Sequence, residues 1–133
     1  GRDRPEMATI SVDSASFDKV TRRPGVVLVD AWAEWCGPCR MFSPVFEAAS
    51  QAHPDCVFAK LDTSREEALR DELGIEHIPT LMVYRDGLLL YHRPGSPPAE
   101  ALEELIRQAR ALDMNEVRAR RAPQNSATSQ EIA

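Results

Sequence analysis

The chain has 133 residues, 43% apolar and 28% charged, the balance of one ordinary globular domain. A domain of this size removes roughly two thirds of its unfolded surface from water, so it needs no disulfide staple. Sixteen basic against twenty-one acidic residues leave a net charge of -5, which argues against nucleic acid or an anionic membrane as partner, and no apolar run approaches the ~18 residues that span a bilayer.

Along the chain, residues 1–7 are expected to be a flexible N-terminal segment. They carry no apolar stretch of secretory type, and Met7 is a candidate native start with residues 1–6 foreign to it. Residues 8–12 predict a short strand. Asp13 to Ser16 then offer helix-capping chemistry, with Phe17 and Val20 on one helix face. Pro24-Gly25 is a turn. Val26 to Val29 is apolar without alternation, as in a central strand covered on both faces.

Trp35 to Pro38 reads as a strand-to-helix junction, with Pro38 in the first helical turn where its missing N–H costs little. The helix is predicted to reach about Ala52, with Met41, Val45, Ala48, Ala49 and Ala52 as its apolar stripe and Pro44 kinking it. Cys56 to Leu61 is a second buried strand. Ser64 to Leu73 is predicted helical, with Gly74 as its C-cap.

Leu81 to Tyr84 and Leu88 to His92 form a hairpin across Arg85-Asp86-Gly87. The last helix opens at Ser96-Pro97-Pro98 and carries Leu102, Leu105, Ile106, Ala109 and Leu112 on one side. The pattern decays after Asp113, so residues 113–133 are expected to be a polar, partly disordered extension of a domain spanning residues 8–112. The order β-α-β-α-β-α-β-β-α implies an α/β fold. Its central mixed sheet has four to five strands, flanked by helices on both faces.

Three cysteines cannot all pair within one chain. Cys36 and Cys39 form a C-x-x-C and Cys56 stands apart; the odd count fits a reducing compartment, where such a motif is redox-active or metal-binding more often than structural. A thiolate is the attacking species in disulfide exchange. Cys36, just before a helix N-terminus, faces free backbone N–H groups and the positive end of the helix dipole, both of which favour its thiolate. Cys39, one turn on, is placed to attack a mixed disulfide at Cys36, and the tight Gly37-Pro38 turn holds the two sulfurs within bonding range. A zinc half-site is the competing reading, but zinc needs four ligands; His53, His77 and His92 are scattered without ligand spacing. Cys56 opens a buried strand and reads as a packed thiol.

Asp30 closes an apolar strand. Burial would raise its pKa and suit it to exchange a proton with the resolving thiol; the alternative is an ordinary strand-end aspartate capping a loop. Lys60, near the end of the next strand, would lie beside Asp30 or simply be solvated. Pro79 either begins a strand or is cis in a tight turn, with trans the statistical default.

Trp35-Cys36-Gly37-Pro38-Cys39 resembles the active-site motif of the thioredoxin family. Asp30, Trp32-Ala33, Pro44, Lys60-Leu61-Asp62, Gly74-Ile75, Ile78-Pro79-Thr80, Asp86-Gly87 and Gly95 follow in the family's order across roughly residues 8–112. The resemblance implies a thioredoxin fold and a protein-disulfide reductase: Cys36 as nucleophile, Cys39 as resolving thiol, Asp30 as acid/base tuned by Lys60, and a cis Pro79 packed on the disulfide. Trp35, Gly74, Pro79 and Gly95 would line the client groove, with Ile78 and Thr80 pairing to client backbone.

The resemblance also implies no bound cofactor or metal. The chain would be a cytoplasmic monomer that visits disulfide-containing clients and is recharged by a separate NADPH-dependent thioredoxin reductase. This chain departs from the family at Ala31, where an aromatic is common, at His77, at Pro94 and in the 113–133 extension. An oxidase or isomerase of an oxidising compartment, and a binding module without turnover, are the competing functions.

Overall fold

A computed structural model describes residues 8–121. The expectations for residues 1–7 and for the end of the C-terminal extension, 122–133, lie outside the described residues. The elements are β1 (Thr9–Val12), α1 (Phe17–Thr21), β2 (Val26–Trp32), α2 (Gly37–Ala52), β3 (Val57–Asp62), α3 (Glu67–Glu72), β4 (Thr80–Arg85), β5 (Leu88–Pro94), α4 (Ala99–Ala111) and α5 (Met114–Arg121). The strands form one sheet in the order β1-β3-β2-β4-β5. β1, β3 and β2 are parallel, joined through helices, while β4 and β5 run antiparallel.

Central β2 is buried along nearly its whole length, which explains its lack of alternation. Its side chains still divide by parity. Val26 and Leu28 face α2 and α4, in a core with Phe42, Phe46, Phe58, Leu102 and Ile106. Val27, Val29 and Ala31 face α1 and α3, in a core with Phe17, Leu69 and Ile75. Asp30 shares the parity of Leu28, and Lys60 that of Phe58, so both strand-end charges lie on the α2 side. Phe46 packs tilted against Phe42 and edge-to-face against Phe58, at centroid distances of 5.7 and 5.2 Å. Each such buried ring contributes about 1.5–3 kcal/mol by leaving water and seats α2 on the sheet.

Two sequence expectations need correction. The buried stripe of α2 is Cys39, Phe42, Phe46, Ala49 and Ser50, whereas Met41 is 76% exposed and Ala48 is exposed. The two phenylalanines, at i and i+4, capture the sheet and rotate Met41 outward. Helix α3 begins at Glu67 rather than Ser64. Asp62 Oδ1 accepts from the Ser64 N–H at 3.0 Å and hydroxyl at 2.7 Å, a local turn that competes with the helix.

Residues 114–121, at the start of the expected polar extension, form a helix. The N–H groups of Asn115 and Glu116 donate to the Asp113 carboxylate at 3.1 and 3.3 Å, a helix cap. Met114 and Val117 are buried at 6% and 1% exposure, and the Arg121 guanidinium donates to the Leu89 carbonyl at 2.7 Å. Two apolar residues one turn apart suffice to dock this helix, too few to register as a periodic stripe.

Candidate functional site

The C-terminal end of β2 delivers the chain to the N-terminus of α2. Cys36 is the N-cap residue, in extended conformation, and its sulfur accepts a hydrogen bond from the Cys39 backbone N–H at 3.2 Å. Free N–H groups at a helix start and the dipole behind them favour negative charge there. Gly37 and Pro38 begin the helix, where proline removes a donor that has no helical acceptor. Cys36 and Cys39 are joined as a disulfide with their Cα atoms 5.3 Å apart. Both are buried, at 4% and 3% exposure, and pack with Ala33 against Trp32 and Ile78.

The opposing wall comes from the loop before β4. The Ile78–Pro79 peptide is cis, against the default that the residues alone gave and in line with the resemblance. Cys36 Sγ lies 3.8 Å from the Ile78 carbonyl oxygen. The Gly95 N–H donates to the Pro79 carbonyl at 2.7 Å, and the Thr80 hydroxyl donates to the His77 carbonyl. Gly95 takes φ +112, a region that disfavours a side chain. Gly74, at φ +69, closes α3 and leads into the Ile78 loop; its N–H donates to Asp71 and that of Ile75 to Arg70, both at 3.1 Å.

The surface around the buried disulfide mixes exposed Trp35 with the charged residues Glu34 and Arg40. Trp35 is 71% exposed, and Met41 stands equally open on α2. Spacing alone predicts a core position for Met41; Phe42 and Phe46 take the sheet-facing side of α2 instead. His77 is exposed, and Pro94 pairs with Thr80 at the end of β5.

Asp30 is fully buried beneath α2, and neither carboxyl oxygen has a hydrogen-bond partner among the described residues. Desolvation raises its pKa to about 7, with the Lys60 cation opposing the rise. Lys60 is its neighbour in the β2–β3 register, with Nζ 3.8 Å from Oδ2. Lys60 also donates to the Ser43 hydroxyl at 2.9 Å and lies 5.2 Å from the Trp32 ring centroid. Cys39, Ser43 and Lys60 line one cavity of about 140 Å³. Of the two sequence readings for Lys60, beside Asp30 or solvated, the structure shows the first; Ser43, whose hydroxyl sits one turn beyond Cys39, gave no sequence signal.

Cys56 lies apart as a free, buried thiol. Its sulfur accepts from Arg110 at 3.6 Å, and burial, followed by the Asp55 charge, pushes its pKa up. This is the opposite of an activated thiol. Among the described residues no group of three or more His, Cys, Asp or Glu could hold a metal ion, and no helix is long and apolar enough to cross a membrane.

The Thioredoxin family model matches residues 8–108. A putative thioredoxin 2 of Streptomyces coelicolor is 46% identical over 111 residues, covering 84% of this chain and 83% of that protein. The thioredoxin of Bacillus subtilis is 40% identical over 101 residues, covering 75% and 96%. Among solved structures, Malassezia sympodialis thioredoxin superposes with a TM-score of 0.72 at 32% identity, covering 84% of this chain and 98% of that one. The Cys36–Cys39 pair thus stands in a fold that carries dithiol–disulfide exchange, and the chain belongs to the thioredoxin family of disulfide oxidoreductases.

Proposed function

We propose that the chain works as a protein-disulfide reductase with Cys36 as nucleophile, and the observation that carries this is the Cys39 N–H donated to the Cys36 sulfur at the start of α2. The Cys36 thiolate attacks one sulfur of a client disulfide. A mixed disulfide forms, and the other client sulfur leaves as a thiolate that takes a proton from water. Cys39 then gives up its proton and attacks Cys36 Sγ. The Cys36–Cys39 bond forms, the second client thiolate leaves, and two electrons have passed to the client.

Asp30 is the proton acceptor in the second step. Its pKa of about 7 lies near working pH, where a general base is most effective. The cavity of about 140 Å³ that Cys39 and Lys60 share is large enough to hold water beside the resolving sulfur. Lys60 tunes the carboxyl. Client chains dock over exposed Trp35 and along Gly74, Pro79 and Gly95, pairing with the backbone of Ile78 and Thr80; Gly37 and Pro38 hold the two cysteines in reach.

A separate NADPH-dependent thioredoxin reductase returns the disulfide to the dithiol, and disulfide-containing proteins are the clients. The unpaired Cys56 supports a reducing, cytoplasmic setting, and the protein acts as a monomer without a bound cofactor. With dithiothreitol as reductant, the protein is expected to accelerate precipitation of the insulin B chain well above the uncatalysed rate. A folded sample that leaves the rate unchanged would end the reductase reading.

A further inference from the structure

Asp30 and Lys60 are register partners on adjacent strands, and a lysine stem is long enough to close on such a neighbour. A charge-assisted hydrogen bond between them would bring nitrogen and oxygen to about 2.7–2.9 Å. The observed separation is 3.8 Å, and both carboxyl oxygens lack a hydrogen-bond donor among the described residues. The ammonium is held instead by Ser43, to whose hydroxyl it donates at 2.9 Å, with the Trp32 ring beneath it. Ser43 follows Cys39 by one helical turn and lies on the same face. It lines the same cavity, whose walls also include Glu34 and Arg40.

We propose that Ser43 is a positioning residue of the redox site: its hydroxyl keeps the Lys60 ammonium short of hydrogen-bond range of Asp30, leaving the buried carboxyl free to take the Cys39 proton. The charged groups around this pair are few. Lys60 faces Asp30 from β3, and Cys39 and Arg40 come from α2. Arg40 is turned away, donating to the Glu34 carbonyl at 2.9 Å. Asp13, Asp62, Arg65 and Glu66 line, together with Lys60 itself, a polar cleft of about 370 Å³ on its other side. Of the groups around the ammonium, the Ser43 hydroxyl is the one that hydrogen-bonds it among the described residues. Closing the gap from 3.8 Å to hydrogen-bond distance would lower the Asp30 titration midpoint by about one pH unit at an effective dielectric of ~20.

The rate consequence rests on the acid–base role proposed for Asp30, whereas the placement of charge does not. The test is a carbon-13 NMR titration of the Asp30 carboxyl, run beside the pH–rate profile of insulin reduction, in the unaltered protein, S43A and S43T. S43A is expected to lower the midpoint by about one pH unit and S43T, which keeps the hydroxyl, to restore it. In a Lys60→Met background S43A should then move nothing, because Ser43 acts through the lysine. A midpoint that stays put or rises in S43A overturns the proposal. A midpoint that falls while the pH–rate profile stays fixed supports the placement of Lys60 by Ser43 and removes Asp30 from the proton transfer.

Discussion

Cys36→Ser will lower the rate of insulin reduction by on the order of 10³-fold or more, to the background of dithiothreitol alone. A serine hydroxyl ionises far above neutral pH and forms no disulfide, so the helix N-terminus then has no thiolate to favour. Cys39→Ser will also slow turnover, but for a different reason. The Cys36 thiolate still attacks, and the mixed disulfide then persists until external dithiol cleaves it, because no second sulfur of the chain is in reach. The two variants therefore look alike in a turnover assay and differ in their product: C36S carries no client, whereas C39S accumulates one. Cys56→Ser, at a buried thiol whose pKa is pushed up, should leave the rate within a few fold of the parent. Equal loss in all three variants would contradict the assignment.

Asp30→Asn will stabilise the oxidised protein at pH 8 by roughly 2–4 kcal/mol and leave it near the parent at pH 4. The sign follows from the direction of the shift. The native carboxyl holds its proton to about pH 7, while the unfolded one releases it near 3.8. Between those values the native state binds more protons than the unfolded state, so stability is full below 3.8, falls through the window and levels off above 7. The gap of about three pH units corresponds to about 4 kcal/mol, the upper limit of the gain from removing the charge. Asparagine keeps the shape but cannot ionise, so its stability should be flat over the window. Urea denaturation at the two pH values checks this. A variant no more stable than the parent at pH 8 would mean that the Asp30 carboxylate finds stabilisation which its bare oxygens and the 3.8 Å distance to Lys60 do not provide.

A charged group so unfavourable is retained in a fold that would be tighter without it, as expected where chemistry rather than stability sets the residue. The same reasoning applies to the surface. Trp35 and Met41 stay exposed, at 71% and 76%, in a protein with enough core to bury them. An exposed tryptophan next in sequence to a reactive cysteine suits a site that other proteins must touch.

Much of this was legible in the residues. The unbroken run Val26 to Val29 announced a strand covered on both faces, and Cys36-Gly37-Pro38-Cys39 at a strand-to-helix junction announced thiol chemistry. Two strand-end charges on neighbouring strands left Lys60 either beside Asp30 or solvated; the family resemblance implied the pairing, and the β2–β3 register brings the two together. What escaped depended on competition between local and tertiary forces. Two phenylalanines outweighed Met41 for the sheet, a single carboxylate at Asp62 delayed α3, and α5 docked through only Met114 and Val117 with help from a cap at Asp113. Ser43 was invisible for another reason: a half-buried serine within a helix gives no sequence signal, and its meaning lies wholly in the lysine that reaches it from another strand.

The most direct test of the central assignment is a mixed-disulfide trap. Reduced C39S protein is mixed with native lysate, quenched by alkylation, and the site of each adduct is mapped by peptide mass spectrometry. The account predicts client proteins attached through Cys36, released by dithiothreitol, and absent from C36S. Adducts on Cys56, or a C39S protein that captures no more than C36S does, would contradict it.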